Sequence, residues 1–349
     1  MFHELIIREV RAETPEAVSI TFEAPESHNA DFAWKPGQYL TLRDTVDGKD
    51  TRRSYSIASL PGKPLTVGVK RLEGGVFSAH CQSLKPGDRM QVMPPEGRFT
   101  TRGEERLVLI AAGSGITPMV SIAADALARG ADVTLIYGNR NTDTIMFREV
   151  LEGLKDRYVD RFTLIHILSR EPQDVDLLNG RISGDKIAAL GRAGAVDLDG
   201  ADGVYLCGPG DMIDDVAATL EGQGVARDRL HFERFFQEGE APRKPRSAEA
   251  EAAAESGVSV EVVLDGSRRR FNVQAEDDSV LDAAERQGLE LPYSCRGGMC
   301  CTCRCKVTEG SAEMAVNYSL EPWELEAGFT LACQSRPTSE RLVLDFDAA

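Results

Sequence analysis

Apolar and polar positions alternate along the first hundred residues. LIIREVRAETPEAVSITFEAP reads as two strands around a turn at Thr14, Pro15 and Glu16. A period of two is the mark of a strand with one buried face. KPGQYLTLRDT, RRSYSIAS, PLTVGVKRL and DRMQVMPPEGRF continue the pattern, punctuated by Gly and Pro. Six such strands over residues 1–102 predict a small antiparallel β-barrel.

From about residue 105 the period changes. In RLVLIAAG a short apolar run follows the arginine, as in a strand buried on both faces. A Gly-rich turn and the helical stretch MVSIAADALARG follow. DVTLIYGNR, FREVLEGLKDRY, RFTLIHILSRE and GVYLCGPGDMIDDVAATLEGQG repeat the alternation of strand and helix, and HFERFF closes it. This predicts an α/β domain over 103–236, a parallel sheet with helices on both faces.

Residues 237–256, QEGEAPRKPRSAEAEAAAES, carry no apolar side chain larger than alanine. They read as a linker. AEAEAAAE could form a short helix, but one without an apolar face to dock. Beyond it, over 257–349, VSVEVVLDG and RRRFNVQAE predict a β-hairpin, SVLDAAERQG an amphipathic helix and LVLDF a late strand. The expected whole is multidomain: an antiparallel barrel, a parallel α/β sheet and a small α+β unit.

Composition narrows the function. The 349 residues are 42% hydrophobic and 28% charged, which is ordinary for globular domains. No run approaches a membrane span. The opening MFHELIIREV has charges inside its apolar stretch and does not resemble an export signal, so a cytoplasmic location is expected. The net charge of -16 argues against nucleic acid as a partner and suits either solubility or a basic docking partner.

Four of the eight cysteines crowd into CRGGMCCTC at 295–303. In a reducing compartment a metal site is a better expectation than a disulfide. Cys295, Cys300 and Cys303, with Cys333 far downstream, give C-x4-C-x2-C…C, the plant-type [2Fe–2S] spacing. Zinc would accept several quartets, including ones using Cys301 or Cys305. Its sites usually come as two short pairs, so a triad with a distant fourth fits iron better.

These residues carry a resemblance. LPYSCRGGMCCTCRCKVTEG and TLACQSRP resemble the cluster loop and fourth-cysteine segment of plant-type ferredoxins, which implies a β-grasp fold for 257–349. Residues 1–236 resemble the ferredoxin–NADP reductase family. RSYSI at 53–57, VKRLEGGVFS at 69–78, AAGSGITPM at 111–119 and CGP at 207–209 carry that likeness. Each stretch alone is weak, and Gly74-Gly75 alone would be a plain hairpin turn. Together they imply FAD and a nicotinamide nucleotide as cofactors.

The resemblance assigns expected roles. Arg53 pairs with a flavin phosphate, Tyr55 lies against the flavin ring, and Ser56 bonds near its N5. Ser54, Ile57, Val69 and Lys70 belong to the same cofactor-binding stretches. Gly75, Val76, Phe77 and Ser78 offer backbone N–H groups to the pyrophosphate. Gly113, Gly115, Thr117 and Pro118 form the nucleotide loop, and Cys207, Gly208 and Pro209 lie beside the nicotinamide. Glu233 and Phe235 are candidates to cover the flavin. Ser56 and Cys207 are the expected catalytic residues.

No acid ends the second strand of the α/β domain at Arg140, and the third ends in Ser169-Arg170-Glu171. Arg140, Ser169 and Arg170 are therefore candidates to bind the 2′-phosphate, which favours NADPH over NADH; solvent-facing charges are the alternative reading of the two arginines. FAD is favoured over FMN by the same resemblance. A hydride donor, a flavin and a one-electron cluster in one chain make a two-to-one electron converter. The linker would let the ferredoxin domain visit the flavin and then a partner. With the ferredoxin last, the chain resembles the reductase subunits of phenylacetyl-CoA epoxidases, most specifically in NYSLEPWELEAGFTLACQS at 317–335. That resemblance implies a multi-subunit di-iron oxygenase as acceptor. A Rieske or steroid oxygenase, or a soluble redox protein such as a hybrid-cluster protein, is the alternative acceptor. A zinc or redox-sensing module is the alternative class.

Overall fold

The computed structural model describes residues 2–60, 62–235 and 244–348. They form two compact units, Met1–Phe235 and Phe236–Ala349.

The first unit opens with six antiparallel strands: β1 (His3–Thr14), β2 (Ala17–Glu23), β3 (Tyr39–Val46), β4 (Lys49–Ser56), β5 (Thr66–Lys70) and β6 (Arg89–Val92). Their order is β4-β3-β6-β1-β2-β5, and an Ile57–Val67 bridge brings the outer strands together. The alternating residues Leu5, Ile7, Ile20, Leu40, Leu42, Val67 and Val69 fill the interior. A short helix, α1 (Val76–Cys81), follows β5. Gly75 is its N-cap, so the Gly74-Gly75 pair leads into a helix rather than a hairpin.

The five parallel strands of the same unit are β7 (Arg106–Ala112), β8 (Asp132–Asn139), β9 (Phe162–Leu168), β10 (Gly203–Gly208) and β11 (Leu230–Arg234), in the order β11-β10-β7-β8-β9. Helices α2 (Ile116–Arg129), α3 (Arg148–Arg157), α4 (Gly184–Arg192) and α5 (Gly210–Gly222) connect them. Two apolar clusters form around the sheet, because the central strands β7 and β10 are buried on both faces. The closing stretch HFERFF contributes the fifth strand. Helix α4 lies in a stretch where glycines interrupt the apolar period, which hid it from the pattern.

The second unit starts with α6 (Ala248–Ser256), then β12 (Val258–Leu264), β13 (Ser267–Val273), α7 (Val280–Arg286), β14 (Arg304–Glu309), β15 (Ala312–Met314), α8 (Pro322–Glu326), β16 (Phe329–Leu331), β17 (Ser335–Pro337) and β18 (Arg341–Asp345). The mixed sheet runs β13-β12-β18-β14-β16, with β12 and β18 parallel, and β15 pairs with β17. Helix α6 differs from the linker expectation. Ser247 caps it, and Ala250 and Ala254 are buried. Arg246 donates 2.9 Å to the Ala275 carbonyl, and Arg336 donates 2.7 Å to that of Lys244. Small side chains dock closely without a large apolar face. Residues 237–243 of the expected linker lie outside the described residues.

Candidate functional site

The parallel sheet reverses direction of growth between β7 and β10, and ligands of such sheets bind at the carboxyl ends beside that switch. The sequence-derived nucleotide residues gather there. β7 ends in the turn Gly113–Gly115, where Gly113 has φ +56. A Cβ on Gly115 would collide with the Cys207 carbonyl, so only glycine lets this turn pack on β10. Thr117 donates 3.0 Å to the Ser114 carbonyl and starts α2 with Pro118. Cys207 and Gly208 end β10, and Pro209 caps α5.

The barrel supplies the facing wall. Ser56, at the end of β4, donates 3.0 Å to Glu233 of β11. Glu233 is paired in register with Cys207 on the neighbouring strand. Three polar groups from three distant stretches thus meet at one point. Burial pushes the Glu233 carboxyl up to about 7, with the Ser56 hydrogen bond acting the other way. Burial also raises the Cys207 thiol, helped by the nearby Glu233. Phe235 packs on the apolar cluster that includes Cys207.

Arg53 and Tyr55 share one side of β4, and Ser54 lies opposite, 3.4 Å from Thr41. Arg53 donates 2.8 Å to the Arg52 carbonyl. The Tyr55 ring lies over Phe77 at 6.2 Å between centroids and 22° between planes. Ile57, Val69 and Phe77 point into the barrel core, so only their backbones can reach a cofactor. The Ser78 hydroxyl closes the turn, accepting from Leu72 N at 3.1 Å and donating to the Gly75 carbonyl at 3.2 Å. Leu72 and Val76 are exposed beside it. A half-buried tyrosine, exposed apolar side chains and a glycine approach are what a flat, phosphate-bearing flavin requires, and these residues fit FAD.

At the ends of β8 and β9, Arg140, Ser169 and Arg170 lie together. Ser169 donates 3.3 Å from its hydroxyl to the Asn139 carbonyl, and Arg170 N donates 2.7 Å to that of Arg140. The Arg140 guanidinium meets Glu16 of the β1–β2 turn. Lys70 is near both, and burial, then Arg140, lowers its pKa. Sequence reasoning missed Glu16. It also missed Gly68, where a Cβ would stand 2.7 Å from Thr117 Cγ2 and 2.9 Å from Phe147. A glycine inside the strand TVGVK was the available signal.

In the second unit the predicted cysteines converge. Cys295, Cys303 and Cys333 are buried, and Cys300 is half-buried. The thiols fall into two couples. A hydrogen bond from Cys300 holds Cys295 below the usual thiol range, and one from Cys303 does the same for Cys333. Gly297 N donates 3.3 Å to Cys295 Sγ, and Gln334 Nε2 donates 3.5 Å to Cys333 Sγ. Arg296, Gly298 and Cys301 take positive φ, which bends the loop around the sulfurs. Four thiols at the plant-type spacing, with N–H donors on the first and the fourth, fit a [2Fe–2S] cluster. Cys305 is wholly buried in the core, where its thiol donates 4.0 Å to the Thr330 carbonyl. Gln334 went unnoticed because its role depends on where its amide points.

The fold and these sites define a flavin- and nicotinamide-dependent iron–sulfur reductase. The family models agree: Oxidoreductase FAD-binding domain over 6–101, Oxidoreductase NAD-binding domain over 109–218 and 2Fe-2S iron-sulfur cluster binding domain over 262–338.

The chain belongs to the family of the E component of 1,2-phenylacetyl-CoA epoxidase: it is 43% identical to that protein of Escherichia coli (strain K12), over 99% of this chain and 98% of the relative. It is 34% identical to the ferredoxin reductase component of 3-ketosteroid-9-alpha-monooxygenase from Rhodococcus rhodochrous, over 98% and 96%. Phthalate dioxygenase reductase shares the fold, with TM-score 0.58 and 22% identity over 99% of this chain and 98% of that one. The protein is thus an NAD(P)H oxidoreductase that uses FAD and a [2Fe–2S] cluster. Among the described residues no helix is long and apolar enough to cross a membrane.

Proposed function

We propose that the protein is the reductase component of a phenylacetyl-CoA epoxidase, delivering electrons from NADPH to a multi-subunit di-iron oxygenase. The end-to-end match to the Escherichia coli protein carries this reading. FAD, when bound, supplies the conversion between a two-electron hydride and single electrons.

The chain's own residues set the geometry. Arg53 holds a flavin phosphate with its planar fork, and the Gly75–Ser78 amides hold the pyrophosphate. Tyr55 lies against the flavin ring. Ser56 would orient the ring, and Glu233, whose carboxyl is pushed up to about 7, accepts the Ser56 hydroxyl hydrogen bond beside it. Gly113, Gly115, Thr117 and Pro118 receive the nucleotide, with Lys70 near its phosphates. Cys207, Gly208 and Pro209 seat the nicotinamide, and Phe235 covers the site. Ser169 and Arg170 favour the 2′-phosphate of NADPH, since Glu16 already engages Arg140. Cys295, Cys300, Cys303 and Cys333 hold the cluster.

The test is coupled turnover. Purified protein, NADPH, oxygen, phenylacetyl-CoA and the oxygenase subunits of the epoxidase are combined, and the epoxide is assayed. Product that requires this protein is the expected result. NADPH oxidation and cytochrome c reduction without product would leave a reductase for another oxygenase. A colourless, zinc-loaded protein would overturn the reading altogether.

A further inference from the structure

One surface of the barrel carries ligand chemistry that electron transfer does not use. His3 begins β1, in register with Val92 of β6. His28 ends a single helical turn between β2 and β3, and Asp31 follows three residues later. One ligand atom each from His3, His28 and Asp31 lie within 4.8 Å of one another. We propose that these three side chains form a binding site for a divalent first-row transition ion such as Zn²⁺.

The scaffold holds the ligands in place. Phe32 N donates 3.2 Å to the His28 carbonyl, and the Phe32 side chain is buried in the barrel core. The turn carrying His28 and Asp31 is thereby anchored next to β1. The His3 ring packs on His28 at 4.3 Å and on the edge of Phe32 at 5.6 Å. His28 Nδ1 and Asp31 Oδ2 are 2.9 Å apart. A tetrahedral ion with bonds of about 2.0 Å sets its ligands about 3.3 Å apart, so this pair needs little movement to share an ion.

A simple turn explains the His28–Asp31 hydrogen bond and nothing more. It leaves unexplained the imidazole brought from the start of another strand to the same spot. Two imidazoles and one carboxylate suit Zn²⁺, Ni²⁺ or Cu²⁺ rather than Mg²⁺ or Ca²⁺. An ion would take the place of the His28–Asp31 hydrogen bond, and the exposure of both side chains, 40% and 47%, leaves the remaining positions to water. The chain's net charge of -16 draws cations to it.

The experiment is calorimetric titration of the flavin- and cluster-loaded protein with Zn²⁺, beside His28→Ala, His3→Gln and Asp31→Asn. One equivalent of Zn²⁺ is expected. Affinity should fall at least about tenfold in His28→Ala and in His3→Gln, and less in Asp31→Asn. NADPH-dependent cytochrome c reduction should be unchanged in all three. Binding that survives both histidine substitutions would place the ion elsewhere and overturn the proposal. Binding lost in His3→Gln but kept in His28→Ala would reduce it to a site at His3 alone and overturn it too. So would the absence of binding to the unsubstituted protein.

Discussion

At the scale of single residues, Glu233 is the clearest case of chemistry made by position. The folded chain keeps its proton up to about 7, whereas an ordinary carboxyl releases it near 4.5. The native state therefore binds more protons than the unfolded chain between those values. Stability should fall as pH rises through that window and level off above it. Glu233→Gln removes this contribution while keeping the shape. Thermal denaturation from pH 4.5 to 8 should show the unsubstituted protein losing ground to the variant; parallel curves would refute the assignment.

Gln334 invites a second test. Its amide donates both to Cys333 Sγ, at 3.5 Å, and to the Arg296 carbonyl, at 2.7 Å. It ties the fourth cysteine to the loop of the first. Hydrogen bonds to cluster sulfurs favour the reduced, more negative state. Gln334→Leu should lower the midpoint potential of the cluster, read by redox titration followed by electron paramagnetic resonance. An unchanged potential and spectrum would mean the contact is only packing.

Elements tell a different story. Strands were legible wherever polar and apolar positions alternated: β2, β5 and β6 lie wholly within the stretches singled out from the sequence, and β1, β3 and β4 overlap them, running one to three residues beyond. Helix α4 escaped because GRISGDK is rich in glycine and charge, and its burial is supplied by α5. There, a Cβ on Gly184 would meet the backbone of Asp215 at 2.8 Å. Helix α6 was misjudged because alanine is weakly apolar alone yet packs well at short range. The contact of the Gly113–Gly115 turn with β10 can be probed directly. Gly115→Ala forces the Cys207 carbonyl aside and should destabilise the first unit by about 1–3 kcal/mol. Reduction of FAD by NADPH should slow in the same variant, measured by stopped flow, while the cluster's spectrum stays intact. Unchanged hydride transfer would show that this turn does not set the nicotinamide geometry.

For the whole molecule, charge and domain order govern how electrons leave. The net charge of -16 should speed encounter with a basic acceptor and make that encounter sensitive to salt. Turnover with the oxygenase should therefore fall as ionic strength rises, whereas reduction of ferricyanide, an anion, should not fall with it. Equal responses would place the docking surface elsewhere than on acidic side chains.

The sequence by itself determined the barrel strands, the alternation of the parallel sheet and the cysteine spacing. Each is a local or periodic property, written in neighbouring residues. The short strands β14 to β17 around the cysteine loop were not among them. Tertiary structure decided the rest. It joined Ser56 to Glu233 across 177 positions and set Gly68 against Thr117. It also turned Gln334 toward a sulfur. Those contacts arise between segments far apart in the chain, and a carboxyl's proton affinity depends on what is packed around it. No local pattern records either, so they had to be read from the folded chain.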